Sequence, residues 1–144
     1  MTRFFVAGIP KAQPRPRAFA RKMGDRYVAR VYDAGTAEHW KSQIALVAKP
    51  FFREPIIGAV RLSVTFVFPR PKSHLRSNGE LRPKAPVHHI SRPDCDNLIK
   101  AVKDSLTQLG AWKDDSQVIE ETVRKSYGRN VMDLSGALVE IEPL

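Results

Sequence analysis

RPDCDNLIKAVKDSLTQLGAWKDDSQV, residues 92–118, holds five of the chain's fifteen acidic residues, four of them at the two ends of a helix-like run. Asp94 and Asp96 flank Cys95 just ahead of that run, and Asp114 and Asp115 follow it after Trp112 and Lys113. Leu98, Ile99, Val102, Leu106 and Leu109 recur at spacings of three and four, which predicts a helix over 97–109 with one buried face. Asp96 or Asn97 is the expected N-cap, and Gly110 stands where helices commonly stop. Lys100 follows Asp96 by four residues, so its ammonium is expected over the same end of the helix.

Working outward, the rest of the chain is strongly basic. Lysines and arginines number 24 against 15 acids, a net charge of +9. Residues 1–93 hold 18 basic residues against five acids, a balance of +13, and residues 94–144 hold six against ten, a balance of −4. A basic front half of this kind suits a polyanion, and phosphate contacts dominate nucleic-acid binding. Carboxylates repel phosphate unless a cation lies between them, and Mg²⁺ takes hard oxygen ligands of this type. Two readings of the acidic residues therefore remain open. They are helix caps and turns, or they hold a metal that activates water for phosphodiester hydrolysis, with a lysine on the phosphate.

Both halves of the stretch are similar to the signature of the RusA-type Holliday junction resolvases, small endonucleases that cut four-way DNA junctions. The first half is Asp94-Cys95-Asp96-Asn97-Leu98-Ile99-Lys100, and the second is Trp112-Lys113-Asp114-Asp115-Ser116-Gln117-Val118. The resemblance implies that Asp94, Asp96 and Asp115 are metal-binding catalytic carboxylates and that Lys100 is their basic partner. It also implies Mg²⁺ as cofactor, with Mn²⁺ as substitute, and a homodimer matched to the two-fold symmetry of the junction. Two alternatives stand beside it: a non-catalytic basic DNA-binding accessory protein, and a nuclease selective for flaps or forks.

Other candidate DNA-binding residues lie on loops. Residues 3–8 read as a strand, and 10–17 (PKAQPRPR) place Lys11, Arg15 and Arg17 among three prolines, a semi-rigid extended loop suited to clamping phosphate. This element too is similar to the family's N-terminus. Residues 69–91 carry four prolines, a Ser77-Asn78-Gly79 turn signal and no sustained period. With Arg70, Lys72 and Arg76 they are expected to form a flexible basic DNA-binding loop. His88 and His89 are expected to face solvent or phosphate.

The remaining elements are a turn at 23–25 before a strand at 26–32, then a helix over 37–48 capped by Thr36 with Trp40 and Ile44 in the core. A strand at 59–68 is expected near the middle of the sheet, with an edge strand at 117–127 and a closing antiparallel strand at 137–141. The fold class is α+β: one domain, residues 1–144, with a mixed sheet of about five strands and two main helices on one face. The apolar fraction of 42% suits a folded core, and no run reaches the ~18 apolar residues of a membrane span. The N-terminal apolar patch is too short for a signal peptide. The single cysteine, Cys95, excludes an internal disulfide, suits a reducing cytoplasm and acts as a small spacer.

Overall fold

The computed structural model describes residues 1–14, 17–32, 37–130 and 133–144. In chain order the elements are β1 (Thr2–Ala7), β2 (Arg17–Met23), β3 (Arg26–Tyr32), α1 (Glu38–Ala48), β4 (Val60–Phe68), α2 (Cys95–Leu109), β5 (Val118–Tyr127) and β6 (Gly136–Pro143). The main sheet runs β1-β6-β4-β5. Strand β6 is antiparallel to both neighbours, and β4 and β5 are parallel. The α+β class, the mixed sheet and the two main helices are those expected. Strand β4 is central and β5 is an edge, also as expected. Beyond expectation, residues 17–23 form β2, which pairs with β3 in a separate antiparallel hairpin around Gly24. The expected cap Thr36 lies outside the described residues.

Alternation along β4 places Val60, Leu62, Val64, Phe66 and Phe68 on one buried face. Register aligns Leu62 with Ile141, Val64 with Val139 and Phe66 with Ala137, so the neighbouring strand presents the same face. Phe4 and Val6 of β1 extend it. Both helices lay their apolar stripes on this face: Trp40, Ile44 and Ala48 from α1, and Leu98, Ile99, Val102 and Leu106 from α2. Between the helices, the buried Ser105 hydroxyl donates to the Lys41 carbonyl at 2.7 Å, which satisfies both groups inside the contact. Among the described residues no helix is long and apolar enough to cross a membrane.

Helix α2 begins two residues earlier than the apolar period suggests. Its N-cap is Asp94, and Asp96 lies in the first turn, which corrects the expected cap at Asp96 or Asn97. The apolar pattern cannot register these polar starting residues. The expected stop at Gly110 is present. Gly110 has φ 92°, a left-handed backbone that glycine adopts without a Cβ clash, and its N–H caps the carbonyls of Leu106 and Thr107. The chain then turns into Trp112, which is 1% exposed and donates its indole N–H to Thr107 Oγ1 at 2.7 Å. Trp112→Ala is expected to cost about 3–5 kcal/mol of unfolding free energy. Thr107→Val, which leaves the indole N–H unpaired, is expected to cost about 1–3 kcal/mol. Urea denaturation of the two variants checks both values.

Candidate active site

A parallel strand pair needs a crossover, and α2 is the crossover from β4 to β5. Its N-terminus consequently lies at the carboxyl ends of those strands, where open sheets with parallel strands commonly build their sites. Register aligns Phe68, the last residue of β4, with Tyr127, the last of β5. Lys125, two residues before that end, donates from Nζ to the carbonyls of Ser91 and Pro93, each at 2.8 Å. That clasp ties the residues just before Asp94 to the sheet.

Asp94 is in an extended conformation (φ −78°, ψ 152°), and its carbonyl accepts from Leu98 N–H at 3.0 Å. Its side chain makes no capping hydrogen bond, although it occupies the cap position. Asp94 and Asp96 are both exposed, at the end of the helix dipole that favours negative charge. Lys100 is also exposed, and its Nζ lies 3.7 Å from Asp104 Oδ2, one turn further along the helix. Asp104 is half-buried but the ammonium itself is exposed, and a long ion pair of this kind is weak and leaves the ammonium available.

The second half of the signature lies elsewhere. Helix α2 is 15 residues long, so at ~1.5 Å per residue its two ends are about 22 Å apart. Asp115 opens a 3-10 turn, Asp115–Gln117, beyond the C-terminal end and just before β5. Within that turn the labour is divided. Asp114 Oδ1 accepts from Ser116 N–H at 2.8 Å, and these bonds hold its carboxyl below the usual carboxylate range. Gln117 accepts from the backbone N–H groups of Lys113 and Asp114 and donates to the carbonyls of Ile56 and Gly58. The capping reading therefore holds for Asp114, which completes a capping box with Gln117. Asp115 stands exposed beside it.

A divalent cation requires converging oxygen ligands, and the helix start offers two carboxylates, Asp94 and Asp96. Among the described residues no three of His, Cys, Asp or Glu converge on one point. With Asp115 at the far end of α2, a single chain does not fit a three-carboxylate centre.

The N-terminal loop reaches the same end of α2. Gln13 N–H donates to the Asn97 carbonyl at 2.9 Å, and Lys11 is exposed beside Arg92 and Pro93 in a groove of about 440 Å³. Arg15, and the side chain of Arg17 at the start of β2, lie outside the described residues. In the segment 69–91, the turn at 77–79 is present, closed by Arg76 N–H to the Glu80 carbonyl at 2.7 Å and by a Leu75–Leu81 bridge. Arg70 is engaged internally. Its guanidinium donates to the carbonyls of Gly128 and Pro86 and lies over the Tyr127 ring at 5.2 Å. Lys72 and Arg76 are exposed.

Two residues of this end escaped the sequence reading. His88 is exposed as expected, but His89 is 8% exposed and stacks on Phe68 with ring centroids 3.9 Å apart. Burial, with the Lys125 ammonium near it, pushes the His89 imidazole below its ordinary range. Nothing in the local sequence around 88–90 distinguishes the two histidines. Lys125 did carry a signal, because it shares the helix-facing side of β5 with the half-buried Val123 and Tyr127, two residues to either side.

Acidification protonates the unfolded His89 near pH 6.5 while the folded ring resists, so stability present at neutral pH is lost as the pH falls from 6.5 toward the lower folded value. His89→Phe is expected to flatten that fall in thermal unfolding scans between pH 7 and 5. Lys125→Met, which frees residues 91–93, is expected to lower, by about tenfold or more, the DNA cutting that the sequence resemblance implies, judged from misplacement costs in other active sites. Lys125→Arg, which retains donors, is expected to recover part of it in the same assay.

The family model described as endodeoxyribonuclease RusA matches residues 7–141, nearly the whole chain. The chain is also 38% identical over 128 residues to the uncharacterised protein YqaN of Bacillus subtilis (strain 168), covering 87% of each. With the signature carboxylates at the two ends of α2 and the match running from β1 into β6, this chain belongs to the RusA endodeoxyribonuclease family.

Proposed function

We propose that the chain is a divalent-metal-dependent endonuclease that resolves four-way DNA junctions by paired, symmetric phosphodiester hydrolysis. It acts in the cytoplasm as a homodimer with Mg²⁺, for which Mn²⁺ substitutes. The reading rests on the family membership and on one observation in particular: Asp94 occupies the cap of α2 without a capping hydrogen bond, at the carboxyl ends of β4 and β5. A carboxylate excused from its local structural role and exposed beside Asp96 is available to a ligand.

A bound divalent cation would supply Lewis-acid activation of water and of the phosphate. The chain's own groups supply the rest. Asp94 and Asp96 present carboxylate oxygens from the helix start, Lys125 holds the backbone that carries Asp94, and Lys100 offers a charge to phosphate. Lys11, Arg15, Arg17, Lys72 and Arg76 are proposed to contact the DNA backbone, with Arg70 supporting the loop that carries the last two. Asp115 is a helix length away within its own chain, so a site holding all three carboxylates requires a second copy. A two-fold dimer would supply two such sites, one for each strand cut.

The test is incubation with a synthetic four-way junction and a matched linear duplex, each with Mg²⁺, Mn²⁺ or EDTA. Paired nicks on the junction alone, lost in EDTA, are expected; tight binding without cutting under any divalent cation would overturn the reading. Asp94→Asn and Asp115→Asn are each expected to lower cutting by on the order of a hundredfold or more. Junction affinity should be equal or higher, since a negative charge is removed. Asp114→Ala is expected to lower the unfolding midpoint and leave cutting nearly intact. A mixture of the Asp94→Asn and Asp115→Asn proteins, refolded together, is expected to regain nicking, because one of the two composite sites is then whole. No regain would place all three carboxylates in one chain's site.

A further inference from the structure

The groove beside Asp94 has a composition that phosphate binding does not explain. Its lining is Ile9, Pro10, Lys11, Ala12, Phe68, Arg92 and Pro93. Among the described residues, five of these are apolar, two are cationic and none is acidic. The acids begin immediately outside, at Asp94. An intact duplex presents phosphates and sugars to such a surface and keeps the faces of its bases inside the stack. An unstacked base presents what the groove lacks, a flat apolar face with phosphates on either side.

The groove is also built before any ligand arrives. Three separate segments form it, and each is fixed. Phe68 ends β4, is 6% exposed and is backed by the His89 ring stacked at 3.9 Å. Residues 91–93 are clasped by Lys125. The loop 9–12 is followed at once by Gln13, whose N–H is bonded to Asn97 in the first turn of α2. Ile9 nonetheless remains 53% exposed, an apolar side chain standing at an open groove. Its volume of about 440 Å³ lies in the range of ligand pockets, ~300–1,000 Å³.

We propose that this groove is a nucleobase subsite. It takes one unstacked base of the strand to be cut, with Lys11 and Arg92 on the flanking phosphates, and so contributes to the choice of the bond cleaved. The inference rests on the nuclease reading for its place beside the cut, but base capture itself needs no cutting.

The experiment uses junctions carrying 2-aminopurine at successive positions around the crossover, mixed with the full-length protein in EDTA. 2-Aminopurine brightens when it leaves the base stack. Brightening of several-fold at one position is expected. Ile9→Ala removes apolar lining and Ala12→Leu fills the groove, and neither alters the charge. Both variants are expected to lose most of that brightening and to weaken junction binding about tenfold, in line with loss of one stacked base. With a divalent cation and a set of junction sequences, both should also cut with a flatter sequence preference. Circular dichroism melts of the variants separate loss of the subsite from loss of fold. A wild-type protein that cuts junctions without brightening at any position overturns the subsite and leaves the nuclease reading intact. The subsite is overturned equally if both folded variants keep the wild-type brightening and sequence preference. Brightening that depends on Ile9 and Ala12, from a protein that cuts nothing, supports the subsite and overturns the nuclease reading instead.

Discussion

Parallel pairing of β4 with β5 is the constraint from which the rest of the arrangement follows. Two strands hydrogen-bonded in the same direction cannot be joined by a tight turn, so the chain must return along the sheet before β5 begins. Helix α2 makes that return, and its apolar stripe of Leu98, Ile99, Val102 and Leu106 covers the buried face of β4 on the way. The two halves of the acidic signature flank this helix in sequence. The crossover therefore carries them to opposite ends of the molecule's core. Asp94 and Asp96 arrive where β4 and β5 finish, and Asp115 arrives where β5 starts.

Residue types that look alike in the signature take different physical roles. Asp114 and Gln117 are consumed by backbone groups, with Gln117 reaching back to the carbonyls of Ile56 and Gly58 ahead of β4. Trp112 is core. Asp94 holds a cap position without capping. The structural residues of the second half thus lock the turn to the foot of the sheet and leave Asp115 exposed at its corner. At the other end, Lys125 performs the corresponding service for Asp94 by gripping two carbonyls just before it. Each acidic end has its own anchor.

The basic half divides in the same way. Arg70 is tied to the carbonyls of Gly128 and Pro86 and lies over Tyr127, so its charge braces the segment 69–91 against the end of β5. His74 and His89 meet the same tyrosine edge-on, with ring centroids at 4.7 and 5.1 Å, which makes Tyr127 the hub of an aromatic and cationic cluster behind the groove. Lys11 and Arg92 remain at the groove itself. A net charge of +9 describes all of these side chains equally, although some of them hold the protein together and others face outward.

Sequence alone determined whatever depends on period and local chemistry. The alternation over 59–68 marks β4 as a strand with one buried face, because successive side chains point to opposite sides. The three-and-four spacing marks α2, and Gly110 marks its end, because a left-handed residue there suits glycine. The signature residues were legible as chemistry and as a family resemblance. Tertiary structure alone decided which strands pair, and hence that the two acidic ends, a helix length of about 22 Å apart, lie where β4 and β5 finish and where β5 starts, since strand pairing brings together residues remote along the chain. It also decided that His89 is buried while His88 is not, that Lys125 reaches Ser91 and Pro93, and that Ile9, Phe68 and Pro93 share one groove. Those contacts join segments far apart in sequence, and local patterns carry no record of them.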